Sequence, residues 1–425
     1  MVIQDDVLRE RVERLEALLR ETLETEHFII CFGLRDSPNG RGIAREGVTR
    51  RGQIRQYAHA LELAFAHLEA APLALPLPPF ASDGKLHVYV HDVPRSYGFT
   101  QFVPGDPPVI ELACRGAEPT PEQARHRSYA AAAHELTHAF TLPLRLPTWV
   151  EKPDGSHASI DIWQWLHEGT AMFAETLVFP CNHDCMRYLV GWCDEPHRSL
   201  DHWNAQYQAG VFIGFLVRRF GHDFLGELWS LASQHPSPTA LLEAVLSSRG
   251  RAFASPDPNV TDVFACGYCG DAYFLSDPSS GCFHPGLLER HGGRLITHAL
   301  VPEPSHPETT GVDRVDHLGC RYYQLFPSAA ASALEVTLFC DPPEAVVLRG
   351  ELLPVGTQFA RLPGGAVSLQ RVPAAQPDGR SALRAVFPGF STANGLDHVV
   401  LVVANCSYGA TARDRVGLQL TAQLV

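Results

Sequence analysis

From about residue 294 onward the chain switches its hydropathy period from that of helices to that of strands, which constrains its fold more than any other feature. RLITHALV, GCRYYQLF, ALEVTLFC, AVVLRGEL, AVSLQRV, LRAVF, DHVVLVVANC and VGLQLTAQL are short, β-rich runs with turn residues between them at fairly regular intervals. Strands of this kind expose an apolar face that a second sheet must cover, as in a β-sandwich. The loops SPDPN (255–259) and PEPSHPETT (302–310) mark the change. The expected fold class is therefore α+β over residues 1–285, followed by an all-β sandwich over 290–425.

The first part mixes periods. Leu8, Val12, Leu15, Leu19 and Leu23 recur at spacings of three and four, which predicts a helix over 4–24. TEHFIICFG (25–33) reads as a short strand. Ile54, Leu61, Phe65 and Leu68 mark a second helix that must stop in the Pro-rich APLALPLPPF (71–80). KLHVYVHDV (85–93) and PPVIELAC (107–114) read as strands, the latter at a sheet edge. Thr120 can cap a helix, Pro121 suits its first position and Gln123 completes a capping box. That helix runs to Thr141, before Pro143, and further helical stretches follow near 162–177, 204–220 and 223–233.

A net charge of −13 argues against a nucleic-acid partner, which calls for a basic face. No apolar run approaches the ~18 residues of a membrane span. The start MVIQDDVLRERVERLEALLRE has no apolar core after a basic opening, so the expected location is cytoplasmic. The 11 cysteines, an odd number scattered from Cys31 to Cys406, suggest buried thiols rather than a disulfide framework. No pattern bears on oligomeric state.

Chemistry concentrates in AAAHELTHAF (131–140). His134 and His138 are four residues apart, so both imidazoles leave one face of the helix and can bind a single metal ion. Glu135 sits roughly 100° round the helix, beside such an ion rather than on it, placed to take a proton from a metal-activated water. WLHEGTAMFAE (165–175) adds Glu168 as an anionic ligand in an apolar setting of Trp165, Leu166, Met172 and Phe173. Glu175, two turns further along, can hydrogen-bond a ligand. Two imidazoles and a carboxylate suit zinc and leave one tetrahedral position open.

These two segments resemble the gluzincin metallopeptidases, the thermolysin-like and aminopeptidase N-like enzymes. His134-Glu135-Leu136-Thr137-His138 matches their HExxH. Glu168-Gly169-Thr170-Ala171 with Glu175 matches the Glu helix that follows. The resemblance implies a zincin-like domain, zinc held by His134, His138 and Glu168, Glu135 as general base, and a peptide or protein substrate. It extends over about 25–230 and not to the C-terminal third. The interval between His138 and Glu168 is longer than in the aminopeptidases, through LPLRLPTWVEKPDGSHASIDI. His167 stands where those enzymes have Asn. Their G-x-M-E-N segment, which grips a free substrate amine, is absent, and PPVIELAC with Glu111 occupies its place. Endopeptidase or broad peptidase action is therefore expected.

Tyr207 is a candidate to steady the oxyanion, with His202 and His222 as weaker alternatives. Cys266, Cys269, Cys282 and His284, or Cys181, His183 and Cys185, can form a second metal site, although buried or incidental cysteines fit the same spacings. Trp163, Trp165, Trp192 and Trp203 read as core. The alternative to an enzyme is a catalytically inactive zinc-binding interaction protein on a peptidase scaffold, against which the presence of Glu135 argues.

Overall fold

A computed structural model describes residues 5–33, 51–70, 73–93, 96–114, 121–151, 159–179, 186–202, 205–254 and 295–425, the last apart from 304–305, 329–332, 342–346, 357–361, 363–365, 373–380 and 409–414. The chain divides into two compact units. One comprises Met1–Trp149, Asp161–Arg187 and Leu216–Pro238, and the other Val150–Ile160, Tyr188–Phe215 and Thr239–Val425.

In the first unit the opening helix is shorter than its leucine spacing predicts. α1 spans Asp5–Leu18, and Glu21–Glu24 is a strand, β1, folded back antiparallel on β2 (Phe28–Phe32). Leu15 and Leu19 are buried against Cys31 and Tyr89, so the heptad-like spacing reports packing on a sheet. The other expected elements form: α2 (Arg51–Glu69), β3 (Leu86–His91), β5 (Val109–Ala113), α3 (Pro121–Thr141) and α4 (Gln164–Val178). β4 (Gly98–Gln101) precedes β5 and went unread, because four residues with no alternation give no strand signal.

The sheet order is β1-β2-β3-β5-β4. β2, β3 and β5 run parallel, and β1 and β4 close the two ends antiparallel. PPVIELAC is therefore not the edge strand. β5 lies between β3 and β4, and the end position belongs to β4. α2 and α3 cover one face of the sheet, with Phe28 packed edge-on to Phe65. α1 covers the other through Val12, Leu15 and Leu19.

Glu111 on β5 faces α1. Its carboxylate is fully buried and clasped by α1. Arg11 donates through Nε at 2.6 Å and through its terminal nitrogen at 2.8 Å, and His91 Nε2 lies 2.6 Å away. The Arg11 guanidinium also lies over the Phe99 ring. Burial alone would raise the Glu111 carboxyl, but the bonds from His91 and Arg11 overrule it and hold it below the ordinary range.

The second unit is dominated by two sheets. In one, Val416–Leu424 and Ser381–Pro388 flank Ala333–Asp341 antiparallel, with shorter strands outside them. In the other, Leu348–Val355 and Cys320–Leu325 flank His398–Asn405 antiparallel, and Ile296–Leu300 joins Cys320–Leu325 in parallel. Inward residues of both sheets, among them Val336, Leu338, Leu352, Leu401, Val403 and Leu420, form one core. All eight alternating runs thus become strands. A single cut near 285 is not how the contacts divide, because Tyr188–Phe215 goes with the sheets. Trp192 packs edge-on to Tyr322, and the Cys320 and Asp316 amides donate to Pro196 O and His197 O. Gly319 permits this approach, since a Cβ there would meet His197 O at 2.4 Å. The six described cysteines are buried, as are Trp163, Trp165 and Trp192. No helix among the described residues is long and apolar enough to cross a membrane.

Arg11→Met keeps the apolar stem but leaves Glu111 with His91 alone. Breaking a buried pair costs about 3–5 kcal/mol, and the part-exposure of Arg11 reduces this to roughly 2 kcal/mol. Because the folded Glu111 is depressed, its contribution is present above the unfolded value of about 4.3 and is lost as pH falls through the folded one. Thermal melts should show the wild-type advantage near neutral pH and its disappearance under strong acid.

Candidate metal centre

From Ala130 onward α3 is mostly apolar and lies inside the unit, against α2, α4, β4 and β5. Every residue from Ala130 to Thr141 is buried. The alanines at 130–133 and 139 let its neighbours approach closely. Three ionisable residues in such a helix must find partners, since an unpaired buried charge is costly.

The two histidines find them on α4, and Glu135 finds Thr100 on β4. His134 Nε2 and His138 Nε2 are 3.1 Å apart, and Glu168 Oε2 lies 3.0 Å from the first and 3.4 Å from the second. One ligand atom from each of the three residues falls within 4.8 Å of the others. Three electron-rich atoms so close require a positive charge among them. A proton shared by His134 and Glu168 supplies one, and a metal ion would supply it more fully.

Glu175 accepts from His134 Nδ1 at 2.8 Å, which fixes that ring and turns Nε2 toward the cluster. Burial would lower His134, but the hydrogen bonds to Glu168 and Glu175 raise it well above the ordinary imidazole range. Burial would likewise raise Glu168, yet the charge of His138 and the bonds from both imidazoles pull it far down.

Glu135 stands outside this cluster. Burial raises its carboxyl above the usual range, opposed by the charges of His134 and His138 and by a hydrogen bond from Thr100. Thr100 Oγ1 lies 2.9 Å from Glu135 Oε2 and 2.8 Å from the Glu135 carbonyl. At Gly98 a Cβ would meet Glu135 Cγ at 2.7 Å and Glu111 O at 2.9 Å.

His167, unassigned from sequence, is structural. Its Nδ1 lies 3.0 Å from Thr141 Oγ1 and its Nε2 donates to Arg145 O at 3.0 Å, tying the end of α3 to the start of α4. Burial and the charge of His138 push it down to about 3, so it is neutral. Asp161 accepts from the Thr148 and Trp163 amides and sets the entry to α4. Neither Thr100 nor Asp161 was legible, because each bonds across the fold.

Tyr207 lies in the second unit, in the one-turn helix Gln206–Ala209, stacked on Tyr188 at 4.8 Å. His202 is 3.5 Å from an Arg198 nitrogen in the same unit, and His222 lies beside Phe173 in the first. Cys181, His183, Cys185, Cys266, Cys269, Cys282 and His284 fall outside the described residues, as does Trp203.

Residues 120–255, which include the whole cluster, match a family described as "Family of unknown function (DUF6055)". No curated protein matches the chain. Among solved structures, a family GH115 4-O-methyl-α-glucuronidase with specificity for decorated arabinogalactans aligns at 10% identity with a TM-score of 0.19. The alignment covers 82% of this chain and 53% of that one, so this chain spans about half its length. At that score the likeness says nothing of fold or chemistry.

If the cluster holds zinc, protein purified without added metal should carry close to one equivalent by elemental analysis. His138→Ala should lose it. Glu175→Ala should keep the ligand set but weaken zinc by about 10–100-fold in a chelator competition, as expected when a ligand imidazole loses its supporting acceptor.

Proposed function

We propose that the protein is a zinc-dependent hydrolase that cleaves peptide bonds, with His134, His138 and Glu168 as ligands and Glu135 as general base, on a zincin-like domain. The observation that carries this reading is the arrangement of four side chains, three buried and Glu168 partly so. Three converge within 4.8 Å, and the fourth, the next residue after His134, is held apart from them by Thr100. A structural cluster would have no use for a separate carboxylate of raised basicity beside it.

Zinc, when bound, would polarise the scissile carbonyl and acidify the attacking water. Glu135 then takes the water's proton as the carbon–oxygen bond forms, and returns it to the amine nitrogen as the carbon–nitrogen bond breaks. A buried carboxylate is the stronger base for this than a solvated one. An extended substrate chain is expected along β4, the end strand beside Glu135, by strand addition.

The environment of Glu111 favours internal bonds as substrates. An aminopeptidase needs an available carboxylate for the substrate's ammonium group. The Glu111 carboxylate is already committed to Arg11 and His91.

Glu135→Gln should keep zinc and fold while losing on the order of 10²–10⁴-fold in kcat, the usual scale for a lost general base. A variant as active as wild type refutes the assignment. Zinc binding with no hydrolysis by wild type, across a denatured proteome with and without chelator, would favour the non-catalytic alternative.

Specificity is read separately. An N-terminally acetylated peptide and its free-amine twin should be cut at the same internal bonds at similar rates. Cleavage confined to the free-amine peptide would show that an ammonium group is recognised after all.

A further inference from the structure

We propose that Thr100 is a positioning residue: from the end strand β4 its hydroxyl holds the Glu135 carboxylate in the orientation that moves the proton. This rests on Glu135 being the general base. Glutamate has three rotatable side-chain bonds, and Glu135 adjoins two imidazoles that attract its charge. Left free, the carboxylate would swing toward His134 and His138 and become a further ligand rather than a base.

β4 prevents that with two residues on one face of the strand. Gly98 leaves open the space that Glu135 Cγ occupies, where a Cβ would lie 2.7 Å away. Two residues on, Thr100 Oγ1 donates to Oε2 at 2.9 Å. The other carboxylate oxygen, Oε1, is left to the reaction.

The same hydroxyl has a second acceptor, the carbonyl of Glu135, at 2.8 Å. The two acceptors fix the hydroxyl over Glu135. Thr100 donates to Oε2 while Glu135 is a carboxylate, and Oε2 remains an acceptor for it when the water's proton sits on Oε1. Thr100 neither gains nor loses a proton over the cycle.

The test compares full-length wild type, Thr100→Val and Thr100→Ser, each loaded with zinc, by crystallography and by peptide hydrolysis. Valine has the shape of threonine without the hydroxyl, and serine restores it. In T100V the Glu135 carboxylate should leave its position or populate several rotamers, with zinc content unchanged. Its kcat should fall about 10–100-fold at constant KM, the scale of a misplaced catalytic group. T100S should recover most of both. A single unshifted Glu135 rotamer in T100V overturns the proposal whatever the activity, as does T100S behaving like T100V. If T100V does not fold, Thr100→Ala gives the same two readings. Failure of the general-base reading itself shows elsewhere, as full activity in E135Q.

Discussion

The arrangement of the first unit depends on one constraint: two helices bring ionisable side chains together in a largely buried cluster. α3 contributes His134 and His138 and α4 contributes Glu168 and Glu175, and all four are largely buried. Each removes part of the others' desolvation cost, and none is stable there alone. The helices must therefore sit in one register, with Nδ1 of His134 on Glu175 and Nε2 on Glu168. His167 fixes the same register from the far end, through Thr141 and Arg145. The alanines of α3 supply the closeness; the charges decide which closeness is allowed.

What the sequence revealed follows the range of each interaction. Partners four or seven residues apart on one helix are visible as spacing, so the cluster was legible in His134, His138, Glu168 and Glu175. Period-two runs were legible for the same reason, and the eight in the second unit all form strands. Short strands such as Gly98–Gln101, Asp313–Val315 and Glu308–Thr309 lack the length to show a period. Pairings between distant residues leave no local trace. Arg11 and Glu111 are 100 positions apart, and Thr100 and Glu135 are 35 apart. The contact-based division leaves no local trace either, because Tyr188–Phe215 looks helical locally and packs against sheets through Trp192, Pro196 and His197.

The sheet of the first unit separates two electrostatic environments. On the side of α2 and α3, β2 backs α2, and β4 and β5 back the helix that carries the histidines. On the side of α1, Tyr89 donates to Glu16 at 3.1 Å and Glu111 meets Arg11. An N-terminal helix otherwise free to fray is thereby tied to a buried charge, and the charge becomes tolerable only because the helix is there.

β4 and β5 thus lie between two buried glutamates with opposite fates. Glu111 finds a guanidinium and an imidazole within hydrogen-bond distance, and its carboxyl is pushed down. At Glu135 burial outweighs the charges of His134 and His138 and the bond from Thr100, and its carboxyl is pushed up. Gly98 sits at the junction, with Glu135 Cγ and Glu111 O both within 3 Å of where a Cβ would be. The surroundings of the two carboxylates thus separate their proton affinities in opposite directions. A glutamate ion-paired to a guanidinium can anchor a helix, which one held by a neutral hydroxyl cannot do. α1 presents Arg11 to Glu111 on one face of the sheet, and β4 presents Thr100 to Glu135 on the other.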